Sequence, residues 1–354
     1  MSVISATVPR APAARADKAV GLWLFAIAGL IGLMVVVGGL TRLTGSGLSI
    51  TEWQPVTGVI PPLSEADWQA EFAKYQGTPQ YELINRGLGL IAFKSIYWWE
   101  WSHRMLGRVL GAVFLVPFIV FYRQGRFDRA LGIRLLVIFL LGGAQGALGW
   151  WMVQSGLEPS RVAVSQYRLA AHLGLAIALF GYVFWSALET IGAARTGLAS
   201  SQRLRPWAIV LSGLVFVQML LGALMAGLSA GRAFSDWPTY GGRWIPPGLF
   251  DLEPWWINHF ENPALVHFQH RTVAYLVAIL AIAVFAAVRR ADKPVRIAGV
   301  HMLALTVVQV ILGIVTVTSL VYLPLAALHQ ICALALFASA LWLVYATGSR
   351  SPQS

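Results

Sequence analysis

The stretch WWEWSHRMLGRVLGAVFLVPFIV, residues 98–120, places aromatic, charged and histidine residues directly before a long apolar run. Such a run suits the hydrocarbon core of a membrane, and polar groups at its start suit the interface or a functional site. The whole chain is similar: of 354 residues, 57% are hydrophobic and 12% are charged, with a mean hydropathy of +0.67. Soluble proteins carry about 25% charged residues. The sequence therefore predicts an all-α integral membrane protein.

Eight stretches of the chain are long and apolar enough to cross a membrane as helices, which takes about 20 residues each. The second and sixth stretches carry charge and histidine in their first turns, but they are apolar beyond that point. The predicted spans lie near residues 20–40, 93–122, 131–153, 166–188, 206–229, 263–288, 297–319 and 325–347.

The distribution of basic residues predicts the orientation. With the N-terminus inside, the inner segments hold 15 of the 26 basic residues and four of the 15 acidic ones, so the whole net charge of +11 lies on that side. Lys and Arg concentrate on the cytoplasmic side of membrane proteins. Both termini are therefore predicted to be cytoplasmic. Because the charge reports topology, we expect lipid and no nucleic acid as a partner.

The two halves of the sequence resemble each other. GGLTRLTGSGLSITEWQPVTGVIPP at 38–62 and AGLSAGRAFSDWPTYGGRWIPP at 226–247 share a Gly-rich span end, an acid–Trp pair and a Pro-Pro. Spans three and seven share Q-x-x-L-G, and spans two and six share His-Arg. An even number of spans per repeat gives both halves the same orientation, the parallel type of repeat. We therefore expect two pseudo-symmetric four-helix bundles, with the long outer connections folded over the membrane surface.

The repeat also predicts the domain boundaries. A cytoplasmic tail (1–19) precedes the N-terminal bundle (20–188), a cytoplasmic linker (189–205) leads to the C-terminal bundle (206–347), and a short tail (348–354) follows. Small residues in the spans suit contacts within a bundle and between subunits alike, so a homo-oligomer is compatible with the sequence.

One histidine falls in the outer part of each even-numbered span: His103, His172, His270 and His329. Because these spans all run from outside to inside, the four lie at similar depth, one pair in each bundle. A single such histidine is more often a packed core residue, but four at repeat-related positions indicate ligands. Two imidazoles from facing helices suit the axial positions of haem iron. Zinc or copper would need further ligands, and Cys332, the only cysteine, excludes a disulfide or a thiolate-held cluster.

Charged residues near these histidines are candidates for further roles. Glu100 lies three residues before His103 on the same helical face, where it could stabilise positive charge or move protons, or simply pair with Arg104. Guanidinium groups can pair with haem propionates or with lipid headgroups; the candidates are Arg42, Arg104, Arg108, Arg168 and Arg271.

Three further histidines are assigned no ligand role. His267 takes the position of Glu100 in the second half, and we expect it, with His259, at the outer interface. His301 lies near the inner end of span seven, far from the four predicted ligands, and is expected to be structural.

The string EWQPVTGVIPP together with WWEWSHRMLGR resembles the haem A synthase family, and His270-Arg271 with the histidines of spans four and eight completes the resemblance. It covers roughly residues 20–347. Without an outer-loop cysteine pair, the chain is similar to the alphaproteobacterial and mitochondrial branch. The chain departs from the family pattern at His267, where we expect Gln.

The resemblance implies oxidation of the C8 methyl of haem O to a formyl group, giving haem A for terminal oxidases. It implies the substrate haem at His103 and His172, haem B at His270 and His329, and Glu100 near the substrate haem. It also implies a bacterial inner membrane with haem sites toward the periplasm, or a mitochondrial inner membrane. A haem O synthase and oxidase assembly factors are implied as partners.

Two other classes of protein share some of these features. A diheme b-type electron carrier, such as a quinol oxidoreductase, also needs four intramembrane histidines, but its haems would lie near opposite membrane faces. A transporter built on the repeat would need polar groups near the midplane. Gln145, Gln218 and Gln309 lie there, but no charge does.

Overall fold

The computed structural model describes residues 17–159 and 161–349, which form helices joined by turns. Residues 1–16 of the predicted N-terminal tail and residues 350–354 of the predicted C-terminal tail lie outside the described residues. Among these residues, eight helices are long and apolar enough to cross a membrane, which confirms the predicted all-α class and the eight predicted spans. The pseudo-symmetry of the two bundles and the cytoplasmic termini stay predictions. They are α1 (Lys18–Leu43), α2 (Leu90–Arg123), α3 (Arg129–Gly156), α4 (Gln166–Thr190), α5 (Arg205–Gly227), α6 (Pro263–Val288), α7 (Lys293–Thr318) and α8 (Leu323–Ala346).

Polar caps extend several helices beyond the predicted apolar stretches. The Asp17 carboxylate accepts hydrogen bonds from the first-turn amides of α1, so that helix begins before the apolar run. Asp128 caps α3 in the same way, through the amide of Leu131. These carboxylates satisfy backbone donors that have no partner within the helix. A second contact of Asp17, with Arg126, joins the start of α1 to the turn that follows α2.

The outer segment between α1 and α2 has a hydrophobic core of its own. At 34 residues, α2 is about 50 Å long, more than the roughly 30 Å of hydrocarbon, so its first turns lie beyond the membrane core. The helix Glu65–Gln76 packs on these turns, followed by the short helix Pro79–Leu83. Aromatic and aliphatic side chains fill the contact: Ile50, Trp68, Phe72, Tyr75, Phe93 and Tyr97.

Neighbouring helices pack in two sets of four that also contact each other. In the first set α1 packs on α2 and α4, and α3 packs on α4; in the second α5 packs on α6 and α8, and α7 packs on α6 and α8. The sets meet where α4 packs on α5 and where α8 packs on α1 and α4. The four helices α1, α4, α5 and α8 therefore form the centre of the molecule.

The peripheral helices expose apolar side chains. Val116 on α2, Leu140 on α3, Ile279 on α6 and Ile311 on α7 are each more than half exposed. Exposed apolar surface on this scale suits contact with lipid tails rather than with water.

The contact between α1 and α8 depends on a glycine. Gln330 of α8 donates a hydrogen bond from Nε2 to the carbonyl oxygen of Val35 at 2.9 Å. A Cβ on Gly39 would lie 1.9 Å from Gln330 Oε1, closer than any real contact. Glycine at this position thus allows the two central helices to approach closely.

We expect Gly39→Ala to destabilise the protein by about 1–3 kcal/mol, because the methyl group overpacks the contact between α1 and α8. Gly29→Ala is the matched control on the same helix, since its Cβ would meet nothing within 4 Å. The double variant Gly39→Ala/Gln330→Ala should relieve this overpacking, because it also removes most of the Gln330 side chain that the new methyl group would meet. The measurement is the thermal unfolding midpoint in detergent, and equal midpoints for the two glycine variants would contradict the close approach.

Candidate functional site

The four predicted ligand histidines each lie against a glycine of a neighbouring helix. A Cβ on that glycine would lie within 3.5 Å of the imidazole ring, and in two cases within 3.0 Å. The glycines therefore provide the space in which each ring packs on a helix backbone. The pairs are His103 with Gly38, His172 with Gly149, His270 with Gly222, and His329 with Gly313.

The two histidines of each half lie within electrostatic range of each other. They are His103 of α2 with His172 of α4, and His270 of α6 with His329 of α8. The structure thus places the members of each predicted pair near each other, and their ligation of one haem stays a prediction. His301 lies elsewhere, with its ring centroid 5.6 Å from that of Trp342, in line with a structural role.

Several buried polar atoms beside these histidines have no hydrogen-bond partner among the described residues. They are Nδ1 of His172 and His329, and Oε1 of Gln145, Gln218 and Gln309. Leaving a buried polar group unsatisfied costs about 1–3 kcal/mol, so such a concentration is typical of a ligand site.

The donor set fits haem better than a bare metal ion. In the described part of the chain, no three His, Cys, Asp or Glu side chains come together to hold a metal. Haem brings four nitrogen ligands of its own and requires only axial ligands from the protein. A pair of imidazoles on different helices, packed on glycines, meets that requirement.

Glu100 is buried and is held by three donors. Its carboxylate accepts hydrogen bonds from Ser49 Oγ at 2.8 Å, the Ile50 amide at 2.9 Å and Arg104 Nη2 at 2.6 Å. Only 3% of the residue is exposed. Arg104 also donates to the carbonyl oxygens of Ile50 and Glu52 at 2.8 Å each. The Glu100–Arg104 pair therefore fixes the first outer segment on α2.

An equivalent arrangement in the second half uses His267 in place of the carboxylate. Arg271 donates from Nε to His267 Nε2 at 3.0 Å, and from its two terminal nitrogens to the carbonyl oxygens of Asp236 and Thr239 at 2.8 Å each. The ring of Tyr240 covers this guanidinium, with its centroid 4.2 Å from Cζ. The second outer segment is thus fixed on α6 by the same type of contact.

The acid of the second acid–Trp pair organises a tight turn. Asp236 accepts hydrogen bonds from the Gly241 amide at 2.8 Å, Thr239 Oγ1 at 2.5 Å and the Gly242 amide at 3.2 Å. These donors, the Gly241 amide first, lower the pKa of the Asp236 carboxyl well below its usual value. Burial raises the pKa of the neighbouring Tyr240 to about 12. The turn therefore contains an ionised carboxylate and a neutral phenol at neutral pH.

A cavity of about 310 Å³ lies between the first outer segment and α2. Arg104 and Ile50, which both bind Glu100, line it, together with Trp101 and Arg108. Trp101 Nε1 and Arg108 Nη1 are buried and have no acceptor within the residues described. The cavity therefore brings polar groups with unused donors close to the partners of Glu100.

The chain is similar over most of its length to known proteins. A family model described as cytochrome oxidase assembly protein matches residues 21–341. The chain is 52% identical over 327 residues to haem A synthase of Paracoccus denitrificans, which covers 91% of this chain and 86% of that protein. It is 49% identical to haem A synthase of Parvibaculum lavamentivorans, in an alignment that covers 92% of this chain and 94% of that protein. It is 48% identical to haem A synthase of Nitrosospira multiformis, in an alignment that covers 92% of each chain.

The chain belongs to the cytochrome oxidase assembly protein family. This confirms the resemblance that the motifs around Trp53 and His103 indicate. In this member of the family, the matched region extends from α1 to α8 and includes all four paired histidines.

The five arginines predicted to bind propionates all donate to backbone carbonyl groups. Beyond Arg104 and Arg271, Arg42 donates to Ala226 O, Arg108 to Gln54 O and Pro55 O, and Arg168 to Trp151 O. Arg42 Nε and Arg108 Nη1 are buried donors without an acceptor in the described residues, and Arg104 and Arg271 have no such atom. Propionate binding stays a prediction for these side chains.

His267 is buried, with only 2% of the residue exposed, and its place at the outer interface stays a prediction. The second outer segment folds back over α6, and Phe234 and Tyr240 pack on the imidazole. His259 lies on the short outer helix Asn258–Glu261, where Gln269 Nε2 contacts its Nδ1 at 2.6 Å.

Sequence reasoning missed the glycines that face the histidines and the residues that bind Glu100. The Q-x-x-L-G repeat of α3 and α7 was a usable signal for two glycines, since it places each one helical turn after a glutamine. Ser49 and Ile50 carried no such signal, because their contacts with Glu100 depend on how the outer segment folds.

Arg104→Ala should release the first outer segment, because two carbonyl groups and a buried carboxylate lose their donor. We expect faster amide hydrogen exchange in residues 49–55, and only partial protection in Arg104→Lys, since an ammonium lacks the planar fork of a guanidinium. The exposed Arg86→Ala in the same outer segment is the control. Equal exchange in Arg104→Ala and Arg86→Ala would refute the anchoring role.

Order in the turn 236–242 should not change between pH 5 and pH 8. A lowered pKa in the folded state means that the stabilisation by the Asp236 carboxylate is complete above its unfolded pKa of about 3.9 and is lost only at lower pH. Asp236→Asn should therefore raise amide exchange at Gly241 and Gly242 across this range. Protection that fell between pH 7 and pH 5 in the unsubstituted protein would contradict this assignment.

Proposed function

We propose that this protein is a haem A synthase that oxidises the C8 methyl group of haem O to a formyl group for terminal oxidases. The relatives named haem A synthase, at 48–52% identity over most of the chain, support the activity. The observation that carries the proposal is the pairing of four half-buried histidines, each packed on a glycine, in a membrane protein of this family.

We also propose two functional halves with the boundaries that the sequence predicts. The N-terminal half, 20–188, binds haem O through His103 and His172, and the C-terminal half, 206–347, binds haem B through His270 and His329; 189–205 joins them. The difference between Glu100 and His267 supports this division, because it places an acid beside only one pair of histidines.

The chemistry follows from the ligands of the substrate. If two imidazoles occupy both axial positions of haem O, dioxygen has no open site on its iron, so the oxygen atom comes from water. Removal of two electrons and a proton makes the methyl carbon electrophilic, and addition of water with loss of a second proton gives the alcohol. A second round gives a geminal diol, which loses water to form the aldehyde. For each haem O converted, four protons pass to solvent and four electrons pass to an external one-electron oxidant, which the reaction requires.

When bound, haem B supplies a one-electron carrier for these oxidations. The residues of this chain provide the binding site and the charge. Glu100 is anchored by three donors, so it can stabilise positive charge on the substrate without moving. We propose that water and protons reach this carboxylate from the cavity lined by Ile50 and Arg104, since both residues donate a hydrogen bond to it.

Propionate binding is proposed for Arg104 and Arg271, with Arg42 and Arg108 as the arginines that still have unused buried donors. We place the sites on the periplasmic side of a bacterial inner membrane, with both termini in the cytoplasm, as the distribution of basic residues favours. A haem O synthase and oxidase assembly factors are the proposed partners for delivery and transfer.

The decisive experiment is extraction of haem from the purified protein, followed by chromatography and mass determination of each haem. We expect haem B together with haem O, its hydroxylated form or haem A. Two haem B per chain, even after expression with a haem O supply, would indicate an electron carrier instead and would overturn the proposal.

Glu100→Gln should lower conversion of haem O to haem A by about 100-fold, since the amide keeps the size of the side chain but removes the charge and the base. Haem content should stay unchanged, which separates a chemical defect from loss of binding. Glu82→Gln is the matched control, because this acid is exposed in the same outer segment and does not line the cavity. Normal conversion by Glu100→Gln would rule out the proposed role.

A further inference from the structure

Three of the four ligand histidines have a glutamine one helical turn before the glycine on which they pack. The spacing Q-x-x-x-G occurs on α3, α5 and α7, each time on the helix that faces the histidine. The pairs are Gln145 with Gly149, Gln218 with Gly222, and Gln309 with Gly313.

Each of these glutamines contacts its histidine. Gln218 Nε2 lies 3.2 Å from both ring nitrogens of His270 and donates to its carbonyl oxygen at 3.0 Å. Gln309 Nε2 lies 3.3 Å from His329 Nε2. Gln145 Nε2 donates to the carbonyl oxygen of His172 at 2.8 Å. A carboxamide therefore lies beside each of these three histidines.

All three carboxamides keep a free acceptor. Their Oε1 atoms are buried and have no hydrogen-bond partner in residues 17–159 and 161–349. An imidazole that binds iron through one nitrogen carries a proton on the other, and that N–H group needs an acceptor to fix the ring and raise its basicity. A glutamine at this position can supply that acceptor.

His103 is the exception, because the corresponding position on α1 is methionine. Met34 lies one turn before Gly38, and its methyl carbon is 3.6 Å from the Cβ position of Gly107 on α2. A thioether is only a weak acceptor, so it does not replace a carboxamide.

We propose that His103 is the exchangeable haem ligand and that methionine at position 34, in place of glutamine, makes the N-terminal half the one that releases its haem. The inference rests on the proposed function, since a synthase must take up haem O and give up haem A. In the C-terminal half both histidines have a carboxamide, so haem B is retained. Met34 and Gln218 act through the histidines and are positioning residues.

The test measures the release of each haem to excess apomyoglobin from the purified, haem-loaded protein, with the captured haems separated by chromatography. We expect haem O or haem A to leave faster than haem B. Met34→Gln should slow release from the N-terminal half about tenfold, in line with the 10–100-fold effects of residues behind metal ligands. Met34→Leu, which lacks an acceptor too, should leave the rate unchanged.

The reciprocal variant Gln218→Met should speed the release of haem B by a similar factor. The electron paramagnetic resonance spectrum of the low-spin ferric haems provides a second readout, because added hydrogen bonding to an axial imidazole shifts its g values. Met34→Gln should shift the N-terminal haem signal, and Gln218→Met the C-terminal one.

The outcomes separate the inference from the proposed function. If Met34→Gln and Met34→Leu release haem at the same rate, or if Gln218→Met does not change the release of haem B, position 34 does not control exchange and the inference is wrong. If His270→Ala removes haem O rather than haem B, the assignment of the two halves is wrong, whatever the effect of position 34.

Discussion

The structure depends on how imidazole rings are accommodated inside an apolar helical bundle. A polar ring within the hydrocarbon must pack closely and have its nitrogens satisfied, because there is no water to do so. Glycine on the facing helix solves the first problem for all four histidines, since any Cβ there would press on the ring. The ring nitrogens then remain available to a bound group and to neighbouring glutamine side chains. Because each histidine needs a glycine on the helix beside it, the positions of the glycines also determine which helices can be neighbours.

The outer segments complete each site from the same side. In both halves an arginine one turn after the Glu100 or His267 position donates to backbone carbonyl groups of the acid–Trp segment. Carbonyl oxygens at the edge of a membrane need donors, and a guanidinium offers several in a fixed geometry. Arg104 and Arg271 therefore have a structural role. A propionate that bound to them would compete with the backbone carbonyl groups for the same N–H donors. Arg42 and Arg108, with unused buried donors, do not face that competition to the same degree.

The eight spans and the pairing of His103 with His172 and of His270 with His329 could be predicted from the sequence, because hydrophobic length and histidine position determine them. Helix ends at Asp17 and Asp128 could not be placed from hydropathy, since capping carboxylates lie outside the apolar run. The burial of His267 was also missed, because it depends on Tyr240, more than 20 residues earlier, folding over it. Local sequence patterns predicted the helices and the positions of the histidines on them. They could not predict contacts that form only when an outer segment folds back on a helix.

The two halves show how a common framework supports different tasks. The number of residues from Gly38 to Glu52 equals the number from Gly222 to Asp236. In both halves an arginine also donates to the backbone of the acid–Trp segment. The two halves therefore share one scaffold. Two differences lie in single side chains next to the histidines: Glu100 against His267, and Met34 against Gln218. The difference between Glu100 and His267 changes the charge beside the site. The difference between Met34 and Gln218 changes the hydrogen bonding available to a predicted ligand histidine. In the proposed division of tasks, these differences confine chemistry and exchange to the half in which the histidine has one carboxamide partner fewer, and the other half retains its haem.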